Sequence, residues 1–141
     1  MNKALIIHHS KTGTTLKFGR EIADFCNQQD INSSLISIEE YTKNDLIGVD
    51  YLFLGCWTHG YFIFNQHPDT NWVEFAEKLP VLNDRKIILF TTYKIATGSM
   101  FRKMKERLKC DSKNGILELK SRNGCLKNET CDLLKKTIYQ K

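Results

Sequence analysis

The chain alternates short apolar runs with segments of helical period, and this alternation restricts its fold more than any other feature. The runs at residues 3–8, 51–56 and 86–90 have the length of β-strands. Over 51–56 the apolar side chains fall on both faces of the pleat, which is typical of a strand in a parallel sheet. A strand of this kind requires helices above and below it.

Segments with helical spacing lie between these runs. Phe18, Ile22 and Phe25 recur at i, i+4 and i+7, which places them on one face of a helix. The same reasoning predicts helices around 72–79, 100–108 (capped by Thr97 or Ser99) and 129–140, and two further strands at 31–38 and 116–119. Five strands alternating with about four helices predict an α/β doubly wound sheet.

Composition favours one globular domain over residues 1–141. Hydrophobic residues make up 41% of the chain and charged residues 26%, and no apolar run reaches the roughly 18 residues that a membrane helix needs. The five cysteines include no CxxC pair, which disfavours a disulfide framework or a zinc site. The N-terminal apolar run is too short for a signal peptide, so we expect a cytoplasmic protein.

Positive charge is concentrated in the C-terminal part of the chain. Residues 101–141 carry 12 of the 21 Lys and Arg residues but 5 of the 16 Asp and Glu residues. Such a segment is either an ordinary solvated face or a surface that attracts an acidic partner. No nucleic-acid-binding motif accompanies it, so we expect no nucleic-acid partner.

The segment Ser10-Lys11-Thr12-Gly13-Thr14-Thr15 follows the first predicted strand and opens the first predicted helix. Its four hydroxyl side chains, the backbone freedom of Gly13 and the unpaired N–H groups of a helix N-terminus suit a phosphate. The segment contains neither the GxxxxGKS/T pattern of a P-loop nor the GxGxxG pattern of a dinucleotide site. The alternative interpretation is a Ser/Thr helix cap after a tight turn.

This segment resembles the phosphate signature of the flavodoxins, T/S-x-T/S-G-x-T, at every position. In that family the signature binds the terminal phosphate of FMN. The resemblance extends over almost the whole chain and implies a flavodoxin-like three-layer sandwich with a five-stranded parallel sheet in the order 2-1-3-4-5. It also implies FMN as the cofactor.

Two further loops fit the same resemblance. The segment 54–60 resembles the second flavodoxin loop, which would place His59, or Trp57 in a shifted register, against one flavin face. The family also implies that the Gly60 peptide turns over when the flavin is reduced, and Tyr93 in the third loop is the candidate for the other face. The complete set of implied cofactor-binding residues is Ser10, Lys11, Thr12, Gly13, Thr14, Thr15, Cys56, Trp57, Thr58, His59, Gly60, Thr91, Thr92, Tyr93 and Gly98.

The resemblance implies an electron carrier between a reductase and an acceptor flavoenzyme or metalloenzyme, with no catalytic residue and no metal ligand of its own. One alternative is an enzyme on the same fold, either an NAD(P)H-dependent FMN or quinone reductase or an oxidase of porphyrin precursors. Another is a dedicated accessory flavoprotein subunit of a reductase. The aromatic-rich segment 61–71 would form a substrate pocket or a dimer contact. We expect a monomer or weak dimer with no membrane partner.

Overall fold

A computed structural model of the chain describes residues 2–61, 64–111, 113 and 115–139. The strands are β1 (Lys3–His9), β2 (Asn32–Ser37), β3 (Tyr51–Tyr61), β4 (Phe64–Pro68), β5 (Lys86–Thr92) and β6 (Leu117–Ser121). The helices are α1 (Thr14–Gln28), α2 (Thr70–Glu77), α3 (Met100–Glu106) and α4 (Asn128–Tyr139), and a 3₁₀ turn spans Lys43–Leu46. Across the described ranges, no helix combines the length and apolarity that a bilayer crossing requires.

The main sheet is parallel and has the order β2-β1-β3-β5-β6. This confirms the predicted order 2-1-3-4-5, because β4 lies outside the path and pairs antiparallel with β3 alone. Each parallel neighbour is reached by a crossover, and the carboxyl ends of β1, β3 and β5 meet at one edge. In a doubly wound sheet this edge is where ligands bind.

The polar and aromatic residues of segment 57–68 predict a loop, and this prediction is wrong. Strand β3 runs to Tyr61 and its end pairs antiparallel with β4, and this β-hairpin extends beyond the main sheet. Its Trp, Thr, Tyr and Phe residues have strand propensity, which the polar residues and glycine among them obscured. Within the aromatic-rich segment 61–71, Phe62 and Ile63 lie outside the described residues, and residues 70–71 open α2.

Two apolar layers hold the helices onto the sheet. On one face, Phe18 and Ile22 of α1 pack with Phe53 and Phe90, which are all essentially inaccessible to solvent. On the other face, Trp72 of α2 lies in the layer that includes the buried strand residues Leu54 and Leu89. Because Phe53 and Leu54 point to opposite sides of the pleat, β3 is buried on both faces, as its sequence predicts.

The helix after β5 has Ser99, one of its two predicted caps, at the N-cap position. The Ser99 hydroxyl makes no capping bond there. Instead, Ser99 Oγ donates to the carbonyl oxygen of Gln66 in β4 at 2.9 Å. The residue therefore joins the hairpin to the loop after β5, a contact between segments 33 positions apart.

Cys26 provides a test of core packing through the pH dependence of stability. The thiol is buried within α1, and burial raises its pKa to about 12, whereas an unfolded thiol titrates near 9. Between these values the unfolded chain loses a proton that the folded chain keeps. Stability therefore falls as pH rises through this window, with a contribution of about 1.4 kcal/mol per pH unit from this group.

We expect Cys26→Ala to flatten the decline in the free energy of unfolding between pH 9 and pH 11. Urea titrations of wild type and variant at several pH values within that window measure the effect. Comparison with the variant removes the contributions of lysines and tyrosines, which titrate in both proteins. Parallel pH profiles would contradict a buried, neutral thiol at this position.

Candidate functional site

The predicted phosphate loop lies at the carboxyl end of β1 and leads directly into α1. Gly13 is the N-cap residue of α1 and has φ +91°, a left-handed conformation that a side chain would strain. The Gly13 N–H donates to Ser10 Oγ at 2.9 Å, which closes the turn. Lys11, Thr12 and Gly13 are exposed, and a Cβ built on Gly13 meets no atom within 4 Å. The loop is thus an open, pre-formed turn.

The beginning of α1 gives this loop its electrostatic character. The first-turn N–H groups of an α-helix have no intrahelical acceptor, and they carry a partial positive charge. The first turn of α1 contains no acidic side chain. Thr12 Oγ1 and Thr14 Oγ1 lie 3.4 Å apart beside these groups. The arrangement offers several donors to an anion and no internal carboxylate that competes for them.

Four threonines join the elements beneath this loop. Thr15 is 1% exposed, and its Oγ1 lies 2.6 Å from Thr92 Oγ1 at the end of β5. Thr91 donates to the Cys56 carbonyl oxygen at 2.6 Å, so Thr58 Oγ1, 2.8 Å away, donates to Thr91 in turn. The Thr15–Thr92 contact therefore joins α1 to the end of β5, and the Thr58–Thr91 contact joins the end of β3 to that of β5. A direct contact of Thr15, Thr91 or Thr92 with a cofactor stays a prediction.

Cys56 belongs to the packed interior as well. The side chain is buried, and its Sγ donates to the carbonyl oxygen of Trp57 at 3.3 Å. Burial raises the pKa of this thiol, so it remains protonated at neutral pH. Any cofactor contact at this position would therefore involve the backbone.

Trp57 lies between the Lys11 ammonium of the phosphate turn and the histidine rings of the hairpin. The Lys11 ammonium is 5.0 Å from the centroid of the Trp57 ring, and the His59 ring packs edge-on to it at 5.0 Å. His67 Nδ1 donates to the Pro68 carbonyl oxygen at 3.0 Å, which leaves its Nε2 as the acceptor for His59 Nδ1–H, 3.0 Å away. No motif in the sequence marks His67, because its partner His59 lies on the adjacent strand and only the pairing of the strands brings the two rings together.

Gly60 lies within β3 rather than in the turn that the resemblance implies. The pairing register between β3 and β4 shifts around it, between the pairs His59–His67 and Tyr61–Phe64. Asn65 opposite has φ 58°, a left-handed conformation consistent with a bulge. The placement of Gly60 in a loop is therefore corrected, and the proposed turnover of its peptide stays a prediction.

Tyr93 follows β5 directly and is half-buried. Two cations lie against its ring, with Lys120 Nζ at 5.9 Å and Arg122 Cζ at 5.5 Å from the centroid. The Tyr93 N–H donates to the Ser121 carbonyl oxygen at 3.2 Å, which holds the ring beside the end of β6. Lys120 and Arg122 therefore lie beside a candidate site residue, and no motif in the sequence points to them.

Gly98 lets the hairpin dock on the loop after β5. Its φ is +50°, and a Cβ at this position would lie 2.1 Å from Gln66 Oε1. Gln66 is 2% exposed although it is polar. Gly98 thus serves the packing of β4, and its predicted role in cofactor binding remains untested.

Two cavities among the described residues lie away from the predicted cofactor site. One of about 610 Å³ is lined by Ile38, Tyr41 and Phe75, beside the end of β2. Another of about 430 Å³ is lined by Arg85 and Ile116, toward the amino ends of the strands. The predicted cofactor site is an open surface, with Lys11 lying on the Trp57 ring.

Comparison with solved structures identifies the architecture. A short-chain flavodoxin associated with a bacterial microcompartment superimposes with a TM-score of 0.69 at 14% identity, covering 96% of this chain and 93% of the other. The flavodoxin of Megasphaera elsdenii gives 0.68 at 20% identity, covering 93% and 94%. Flavodoxin 2 of Bacillus cereus gives 0.67 at 17% identity, covering 94% of each chain.

This chain has the flavodoxin fold. The sequence matches no protein-family model and none of the curated proteins with which it was compared. The predicted flavodoxin-like fold is confirmed by the structural likeness and by the strand order. At these levels of identity the likeness concerns the fold, and the function has to be argued from the site.

Proposed function

We propose that this protein binds FMN and transfers electrons to a partner redox protein. The observation that carries the proposal is the exposed turn of residues 10–13 at the N-terminus of α1. It lies at the carboxyl end of the interior strand β1, where the flavodoxin fold brings three loops together.

The residues present fit a phosphate monoester. Ser10 Oγ accepts from Gly13 N–H, so its own proton is free for a phosphate oxygen. The hydroxyls of Thr12 and Thr14 and the first-turn N–H groups of α1 supply further donors. The exposed Lys11 adds a positive charge beside the turn. These groups would hold the phosphate of FMN.

Aromatic residues on neighbouring strands fit a planar ring. Trp57 of β3 pairs with Thr92 of β5. Tyr93 is the residue after Thr92, so it lies one position beyond this pair. Both rings are half-buried at the same edge of the sheet. A flavin on the Trp57 face that Lys11 covers would displace that ammonium, which would then be available to the phosphate. When bound, FMN supplies the one- and two-electron chemistry, and this chain positions it.

The proposal is tested by comparing FMN with riboflavin, which lacks the phosphate. Flavin fluorescence titrations of the purified protein should show one site and an affinity for FMN at least about 100-fold higher than for riboflavin, because charged hydrogen bonds are lost with the phosphate. Equal affinities, or no binding of either flavin, would overturn it. Steady oxidation of NADPH by the FMN-loaded protein without an added reductase would favour the enzyme alternative over the carrier.

A further inference from the structure

One surface beside Tyr93 combines an exposed apolar side chain with positive charge. We define the Tyr93 patch as Tyr93, Lys94, Ile95, Lys120 and Arg122. Ile95 is 50% exposed at the tip of the loop after β5, and Arg122 donates to its carbonyl oxygen at 3.4 Å. Lys120 and Arg122 both lie against the Tyr93 ring. The patch therefore has an apolar centre and a basic rim.

The positive charge of the patch is not neutralised within the described part of the chain. The basic residues of α3 and its C-terminal end behave differently, since three of them form ion pairs: Arg102 with Glu106, Lys105 with Glu118 and Arg107 with Glu77. The described residues place no such carboxylate on Lys94, Lys120 or Arg122. Residues 91–101 contain no Asp or Glu at all.

The ion-paired cations of α3 and the cations of the Tyr93 patch therefore differ in how they act on a partner. The paired cations of α3 are ordinary solvated salt bridges, which contribute little to long-range attraction. The cations of the Tyr93 patch lie beside the edge of the sheet where the loops converge, and two of them share one aromatic ring. A local excess of one sign at a rim acts mainly on the rate of encounter with a partner of opposite sign.

We propose that the Tyr93 patch is the docking surface for an acidic protein partner. An apolar centre with a charged rim is the arrangement found in specific interfaces, and Ile95 supplies the exposed contact that desolvates on docking. The inference that this partner is a redox protein rests on the proposed function, because Tyr93 would lie beside the flavin. The preference for acidic partners rests on the patch alone.

The test uses two probes of opposite charge, the acidic plant-type ferredoxin and the basic cytochrome c. Each is titrated into the ¹⁵N-labelled full chain, without flavin and with FMN, and amide shifts report the site and the affinity. We expect ferredoxin to perturb the amides of residues 93–95 and 120–122. Its affinity should fall on the order of tenfold between about 0.01 M and about 0.15 M salt, where the Debye length shortens from about 30 to about 8 Å.

A matched pair of variants separates local charge from net charge. Lys120→Glu with Arg122→Glu should weaken ferredoxin binding on the order of tenfold. Lys135→Glu with Lys136→Glu changes the net charge by the same amount. Both lysines are exposed on α4, and the end of this helix lies near the amino ends of β3 and β5, away from the patch. This control should bind within about twofold of wild type.

Several results would overturn the proposal. These are tighter binding of cytochrome c than of ferredoxin, equal weakening by the two double variants, or perturbed amides away from the patch. Equal binding of a hexaglutamate peptide would also overturn it, because it would show a general anion site. Since the flavin-free protein is titrated as well, a failure of FMN to bind leaves this test intact.

Discussion

Thr12→Asp is expected to weaken FMN binding by roughly 100-fold or more, equivalent to about 2.7 kcal/mol. The substitution places a carboxylate in the exposed turn where the phosphate would bind. Two like charges at about 4 Å repel by about 1 kcal/mol in water and about 4 kcal/mol near a protein surface. A dianionic phosphate increases that repulsion, and the hydroxyl donor is lost as well.

The fold should tolerate this change. Thr12 is exposed, and the hydrogen bond found for its side chain is the long contact with Thr14 Oγ1 at 3.4 Å. The free energy of unfolding should stay within about 0.5 kcal/mol of wild type. The same reasoning excludes Thr15 as a target, because that side chain is buried against Thr92 and its loss would disturb the core.

Riboflavin provides the discriminating measurement. Without a phosphate it should bind Thr12→Asp and wild type with the same affinity, so the loss of affinity is specific to FMN. Thr70→Asp is a matched control, since Thr70, like Thr12, is an exposed threonine close to the beginning of a helix. It should leave both flavin affinities unchanged. An equal loss for FMN and riboflavin in Thr12→Asp would place the phosphate elsewhere.

The order of the helices and strands of the main sheet could be predicted from the sequence, because the apolar residues of each element have a characteristic spacing. The run at 51–56 shows a buried strand, and the spacing of Phe18, Ile22 and Phe25 shows a helix face. The hairpin formed by the end of β3 and by β4 cannot be predicted in this way, because glycine and polar residues interrupt its apolar pattern. It contacts the loop after β5 through Gln66, Gly98 and Ser99, and no local sequence pattern indicates such a contact.

The same difference between local and long-range information applies to the candidate site. The sequence shows which residue types form the phosphate turn, but it does not show the direction of each side chain. Thr15 falls in one helical register with Phe18, Gly19 and Ile22, all buried, and this spacing was the available signal that Thr15 points inward. The cations on Tyr93 come from β6 and the residue after it, so only the strand order brings them there.

Gly55→Ala is expected to destabilise the protein by about 3 kcal/mol, at the upper end for overpacking in a core. Gly55 lies in β3 in register with Phe90 of β5, whose ring covers the glycine. A Cβ at Gly55 would lie 2.1 Å from two atoms of that ring. The ring cannot retreat easily, since it also packs edge-on against Phe18 at 5.7 Å. The melting temperature should fall by about 10 °C.

A double-mutant cycle identifies the cause of this loss. Phe90→Leu alone should lower the free energy of unfolding by about 1–2 kcal/mol, because leucine fills less of the same buried space. In the double variant the shortened side chain leaves room for the new methyl group. The double variant should therefore be more stable than the sum of the single effects by at least about 1 kcal/mol. Urea unfolding of the four proteins measures the coupling.

Phe75→Leu is the matched control for this cycle. Phe75 is a buried phenylalanine in the opposite apolar layer, so its truncation should add to Gly55→Ala within about 0.5 kcal/mol. Coupling of the same size to both phenylalanines would mean that Gly55→Ala acts through the strand as a whole. Coupling to Phe90 alone would show that the loss arises where one ring covers one glycine. Gly55 and Phe90 pair two positions before Trp57 and Thr92, so this contact lies directly beneath the edge of the sheet that carries Trp57 and Tyr93.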